Sequence, residues 1–168
     1  MNIFLPFQMS FLDYIDNYSH AIVVYIMGCN HNCFNCQNKE FQDINYKESI
    51  NVNISEFFEL LKYFSKKYRT NKVVLSGGDP LHPNNINKVK EILLNKEYDF
   101  TLYTGYDIEY VIKNNVFGFK FIKCGKYNEI YKKTSEKNND FFVLASENQK
   151  IYDSNYNLIS NNGILYFK

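Results

Sequence analysis

Three of the four cysteines in this 168-residue chain fall within eight positions, Cys29, Cys33 and Cys36. The spacing is C-x3-C-x2-C, directly after an apolar run from Ala21 to Met27. A loop this tight brings three thiolates onto one concave face. Thiolates are soft, anionic donors, so the chemistry on offer is metal or redox chemistry. Three are one too few for a closed tetrahedral zinc site or for an all-cysteine iron–sulfur cube. A cubane held by three cysteines leaves one iron open to a substrate or cofactor. Structural zinc is the competing reading, with His31, His20 or Cys124 as the fourth ligand, although no second C-x2-C pair exists. A disulfide framework cannot pair three cysteines within so short a loop.

A second stretch with chemical potential is Ser76-Gly77-Gly78-Asp79, which follows the buried run Lys72 to Leu75. Glycines there let backbone approach a ligand with no Cβ in the way. Asp79 is placed to act through its side chain or to shape the loop before Pro80. Taken alone, such a segment is an ordinary strand-to-helix loop.

These residues carry a resemblance. Gly28-Cys29-Asn30-His31-Asn32-Cys33-Phe34-Asn35-Cys36 resembles the cluster loop of the radical S-adenosylmethionine (SAM) enzymes. Leu75 to Pro83, Tyr103-Thr104-Gly105-Tyr106 and Ser146-Glu147-Asn148-Gln149 resemble, in order, later landmarks of one branch. That branch activates anaerobic ribonucleoside-triphosphate reductase, a glycyl radical enzyme. The resemblance covers roughly residues 15 to 153, and the ordered series is more specific than any single motif.

The resemblance implies a [4Fe-4S] cluster on Cys29, Cys33 and Cys36, with SAM on the open iron. It implies SAM contacts along Asn35, Cys36 and Gln37 and at Gly77, Gly78 and Asp79. Reductive cleavage of SAM would give methionine and a 5′-deoxyadenosyl radical. The radical would abstract hydrogen from a glycine of the reductase, with an external electron donor such as flavodoxin. No side chain is expected to act as an acid or base, since cluster and SAM carry the chemistry. On this view Gly78→Val spares the cluster and abolishes SAM cleavage. Two alternatives use the same residues: a small-molecule radical SAM enzyme such as a deazapurine synthase, or a non-catalytic zinc-binding module.

The chain departs from the family at three places. Relatives carry a Gly- and Pro-rich turn followed by Arg where this chain has Asp16 to Ala21. Asn35 stands where relatives carry an aromatic residue or glycine, and it also suits a turn with unusual backbone. Cys124-Gly125 replaces an Asp-Gly pair, and a free buried thiol is the plainer reading of Cys124.

The elements that must position these loops follow from periodicity. His20 to Met27 reads as a buried strand. Asn53 caps a helix with Glu56 as its box partner, and Ile54, Phe57, Phe58, Leu61, Phe64 and Tyr68 follow at helical spacing. Strands at 72–75, 100–103 and 119–123 alternate with helices, one starting at Asn84 or Asn85 and one at 108–113. Alternation of this kind predicts a parallel sheet, with cofactor loops beyond the carboxyl ends of its strands. The expected fold class is α/β, a single-domain open partial (β/α) barrel of the radical SAM type with mostly parallel strands. One radical SAM domain over residues 1–168 is expected, with the cluster loop at 28–38. The ends, 1–19 and 154–168, yield no assignment. Short strand-like runs at 141–167 have no derivable placement, and residues 37–52 read as irregular.

Net charge is +1, with acidic and basic residues interspersed, so no nucleic-acid groove is expected. No run approaches a membrane span, and no basic-then-apolar leader opens the sequence. Clustered cysteines in such a chain point to a cytoplasmic protein. His31 and His82 are expected to serve as hydrogen-bonding residues, and His20 to sit at a strand edge.

Overall fold

The computed structural model describes residues 1–16, 19–132 and 141–166. Asn17 and Tyr18 of the divergent turn and Phe167 of the tail lie outside them. The fold is mixed α/β. In chain order the strands and helices are β1 (Asn2–Phe4), β2 (Gln8–Ser10), β3 (Ala21–Ile26), β4 (Ser49–Asn51), α1 (Ile54–Tyr68), β5 (Lys72–Gly77), α2 (Ile86–Leu93), β6 (Asp99–Tyr103), α3 (Ile108–Lys113), β7 (Phe121–Cys124), β8 (Phe141–Val143), β9 (Lys150–Asp153) and β10 (Ile164–Tyr166).

The four central strands, in the order β3-β5-β6-β7, are all parallel. Their residues explain this. Ala21–Ile26 and Val73–Leu75 are apolar on successive positions, as a sheet buried on both faces requires. Asn53 caps α1 with a full capping box, its side chain accepting from Glu56 N at 3.0 Å. Phe57, Leu61 and Phe64 are the buried stripe of that helix. Asn85 stands at the N-cap of α2, one of the two starts expected, but makes no side-chain cap bond. Its side chain is buried and donates to Met27 O at 2.7 Å, tying the start of α2 to the residue before the cysteine loop.

Antiparallel strands flank this parallel core. β1 pairs with both β3 and β4, β2 pairs with β3, and β9 closes the far side on β7. β8 and β10 form a separate two-stranded sheet. These flanks are three or four residues long. They carry no periodic signal, which is why the ends and the 37–52 stretch resist reading from sequence.

The two faces of the sheet differ. One packs against the helices through Val73, Leu75, Phe100, Leu102, Ile122 and Cys124. On the other, Val74 and Val23 pack with Tyr14, while Tyr103 and Phe121 meet Ile15, Leu144 and Ile151. Alternation along β6 and β7 therefore puts Tyr103 and Lys123 on the second face and Cys124 on the first. The divergent turn sits at the opposite end from the cysteine loop, since Lys72, which opens β5, pairs with Asp16 and Ser19. No helix among the described residues is long and apolar enough to cross a membrane.

Candidate functional site

The cysteine loop leaves the carboxyl end of β3 and is held by backbone of two segments, at residues 41–42 and at Asp79. Gly28 N donates to Phe41 O at 2.8 Å, Cys29 N to Gln42 O at 3.0 Å, and Asp79 N to Gly28 O at 2.7 Å. Asn32 (φ 49°) and Asn35 (φ 53°) adopt left-handed backbone, the conformation that asparagine tolerates best among side-chain-bearing residues.

Cys29, Cys33 and Cys36 are unpaired, half-buried thiols that line one cleft of about 360 Å³. Asn35, Gln37, Gly77 and Gly78 line it too, with Tyr103, Thr104 and Lys123. Asp79 does not form its wall. Its carboxylate is 1% exposed and lies beneath, fully engaged. Oδ1 accepts from Leu81 N at 2.8 Å and Thr104 Oγ1 at 2.9 Å. Oδ2 accepts from Gly105 N at 2.8 Å and lies at hydrogen-bond distance, 2.8 Å, from His31 Nε2. One buried carboxylate thus joins the β5 loop, the β6 loop and the cysteine loop.

Two glycines make that junction close enough. A Cβ on Gly78 would stand 2.3 Å from Phe41 O and 2.6 Å from Gly28 O. A Cβ on Gly105 would stand 2.3 Å from the His31 ring. The first atoms a side chain on Gly78 would meet are therefore backbone, of Phe41 and of Gly28 at the start of the cysteine loop. His31 also packs edge-on to Tyr106, ring centroids 4.5 Å apart. His82 Nε2 lies 3.2 Å from Asn30 Oδ1, and His20 Nε2 lies 2.9 Å from Tyr68 O. All three histidines take hydrogen-bonding places.

Burial pushes the Cys29 thiol up to about 11, with the His31 N–H pulling the other way. Burial also raises Cys33, against the Tyr127 N–H. Thiolates in this setting need a cation to hold them, and a metal supplies it. Cys124 is 3% exposed on the helix-covered face, its thiol pushed by burial up to about 12. It is not among the residues that line the cleft. A second donor set, Cys29, His31 and Asp79, has ligand atoms within 4.8 Å of one another. It leaves out Cys33 and Cys36, and a metal there would break the hydrogen bonds that hold Asp79. Three soft thiols on one wall, with an open cleft before them, fit an iron–sulfur cluster with a position to spare.

The family described as "4Fe-4S single cluster domain" matches residues 19–152. The chain belongs to that family. Its match begins just before β3 and ends within β9, so it takes in the whole parallel core of this 4Fe-4S domain. The chain is also similar to the anaerobic ribonucleoside-triphosphate reductase-activating protein of Enterobacteria phage T4. Identity is 28% over 102 residues, covering 58% of this chain and 64% of the relative. The chain thus spans less than two thirds of that relative's length. No solved structure matches it.

Sequence reasoning passed over Lys123 and gave Tyr103 and Thr104 no role, although all three line the cleft. The available signal was a lysine inside a strand, at the end where parallel sheets gather ligands. Ser146 and Gln149, landmarks in the sequence, are buried. Gln149 donates from Nε2 to Gly125 O at 3.1 Å, which braces the end of β7.

Proposed function

We propose that this chain activates an anaerobic ribonucleoside-triphosphate reductase by generating a glycyl radical on it, with SAM as cofactor. The observation that carries the reading is the convergence of Cys29, Cys33 and Cys36 on one cleft at the carboxyl ends of the parallel strands. The relative's name supplies the reaction, and the 4Fe-4S family supplies the cofactor. On this reading the fold is an open partial barrel of the radical SAM type.

Cys29, Cys33 and Cys36 would hold the [4Fe-4S] cluster. When bound, the cluster supplies the electron that cleaves SAM to methionine and a 5′-deoxyadenosyl radical. The chain's own residues bind, orient and shield. Asn35, Cys36 and Gln37 offer loop backbone to one end of SAM, and Gly77 and Gly78 offer strand-end backbone to the other. Asp79 fixes the distance between these two walls. No side chain needs to move a proton. The electron would come from a cytoplasmic donor such as flavodoxin.

A protein substrate is favoured over a small molecule by the surface next to the cleft. Phe34 and Ile130 line a neighbouring depression that shares Cys33 and Tyr127 with the cleft, and they are 74% and 86% exposed. Exposed apolar side chains beside a site suit a docked chain. The test combines this protein, SAM, a reductant and the cognate reductase, and measures deoxynucleotide formation. Product that depends on both SAM and this chain is the expected result. Efficient SAM cleavage without nucleotide reduction would move the assignment to a small-molecule substrate. Zinc in place of iron and sulfide, after anaerobic purification, would end both readings.

A further inference from the structure

The stretch Ser146-Glu147-Asn148-Gln149 has no part in the proposed chemistry, yet each of its residues holds one neighbouring segment. That segment, residues 125–132, follows β7 and contains a single turn of 3-10 helix at Glu129–Tyr131. Gln149 Nε2 donates to Gly125 O at 3.1 Å, and Asn148 Nδ2 donates to Lys126 O at 2.9 Å. Asn128 N donates to Ser146 Oγ at 3.3 Å, and Glu147 N donates to Tyr131 O at 2.8 Å. Ser146 and Gln149 are buried, and Gln149 Oε1 also accepts from Ser146 N at 3.3 Å, which ties the stretch to itself. Ser, Asn and Gln suit such a task. They offer directed donors and acceptors to backbone groups that no sheet satisfies.

The held segment in turn meets the cysteine loop. Tyr127 N–H donates to Cys33 Sγ, and the Glu129 carboxylate accepts from the Asn35 side chain and from Tyr127 Oη. Residues 31–34 and 126–130 line one depression together. The loop is therefore held at its two ends by different parts of the fold. Its first half, Gly28, Cys29 and His31, is fixed by residues 41–42 and by Asp79. Its second half, at Cys33 and Asn35, is met by the 125–132 segment. An N–H aimed at a cluster sulfur stabilises the more negative, reduced state and so raises the potential.

We propose that Ser146-Glu147-Asn148-Gln149 is a positioning motif for the second half of the cysteine loop, setting Cys33 and Asn35 through residues 125–132. The proposal rests on the reading of Cys29, Cys33 and Cys36 as cluster ligands. The motif acts on the cluster's potential through the Tyr127 N–H and on the loop wall through Glu129. It leaves the Cys29 end to Asp79.

The test compares wild type with Asn148→Ala, whose side chain is exposed, and with Ser146→Ala. Tyr156→Phe is the control. It removes a bond of the same length as that of Asn148, from Tyr156 Oη to Val116 O at 2.9 Å, on the helix-covered face. Cluster-free protein is read by amide hydrogen exchange. Tyr127 N–H should exchange at least about tenfold faster in both motif variants, while Cys29 N–H and Asp79 N–H change less than about twofold. Reconstituted protein, at equal iron and sulfide content and without SAM, is read by its midpoint potential. Both motif variants should be harder to reduce. Their reduced-to-oxidised ratio at a fixed poise should fall at least about threefold, roughly 30 mV at 59 mV per tenfold. Tyr156→Phe should move neither reading. Unchanged potential in the fully loaded motif variants would overturn the proposal, as would unchanged Tyr127 exchange. An equal fall in Tyr156→Phe would also overturn it, because it signals general loosening. If Ser146→Ala does not fold, Asn148→Ala decides. A folded motif variant that takes up no cluster, beside a fully loaded control, is the same effect at greater strength. A wild type that takes up no iron–sulfur cluster overturns the cluster reading. Faster Tyr127 exchange in the variants would then still support the hold on the loop, and unchanged exchange would refute it.

Discussion

Asp79 is the most consequential side chain for holding the cleft together, and its replacement has a calculable cost. Asp79→Ala leaves four donors facing a dry hole: Leu81 N, Thr104 Oγ1, Gly105 N and His31 Nε2. Hydrogen bonds to a charged group contribute about 1.5–3 kcal/mol each. The sum overstates the effect, because His31 is 15% exposed and water can enter at its side. A loss of about 3–5 kcal/mol is expected, in line with breaking a buried charged network. That is a large share of the roughly 5–15 kcal/mol that holds a domain folded. Asp79→Asn should cost less, about 2–3 kcal/mol, because one oxygen survives while the new amide group faces the Gly105 N–H. Urea unfolding of the cluster-free protein gives the stability, and iron content after reconstitution gives the site. Both variants should also load poorly, since the carboxylate fixes the cysteine loop through His31. An Asp79→Ala protein within about 1 kcal/mol of wild type and with a full cluster would refute the reasoning.

Three further outcomes are expected. Cys29→Ala, Cys33→Ala and Cys36→Ala should each lose iron and sulfide, while Cys124→Ala keeps both, because Cys124 lies on the helix-covered face. Iron and sulfide assays after anaerobic reconstitution decide it. Gly78→Val should lose the cluster as well as SAM cleavage, since its Cβ would meet Phe41 O and Gly28 O, both backbone. An intact cluster in that variant would show that the loop can move aside. Burial holds the Lys123 ammonium down to about 8 from an ordinary 10.5, with Asp13 and Asp79 pulling it back up. The unfolded chain then binds more protons than the folded one between about pH 8 and 10.5, so this lysine's contribution to stability rises with pH there. The raised thiols of Cys29 and Cys124 act in the opposite sense. Stability of cluster-free wild type minus that of K123M should therefore increase from pH 7 to pH 9.5, and a flat difference would contradict it.

Much of the core was legible because its signals are repetitive. Ile54 to Tyr68 shows helical spacing behind a capping box, and the runs at 21–26 and 73–75 are apolar on successive positions. The cysteine loop was legible through spacing alone. The flanking strands were not, because three residues such as Ser49–Asn51 cannot display a period, and β1 owes its place to partners on both sides. At Gly78 the sequence marks a close approach without saying what approaches, and the structure puts backbone of Phe41 and Gly28 there. Lys123 was passed over because sequence shows a charge in a strand but not that nearby carboxylates are already engaged.

The central claim is radical transfer to a partner protein, and electron paramagnetic resonance tests it most directly. This chain, SAM, a one-electron reductant and the cognate anaerobic reductase are combined without oxygen. The account predicts a doublet from a glycyl radical on the reductase. It should vanish when the reductase glycine is replaced, and when Cys29, Cys33 or Cys36 is changed to Ala. Complete SAM cleavage with no doublet, in correctly paired components, would contradict it.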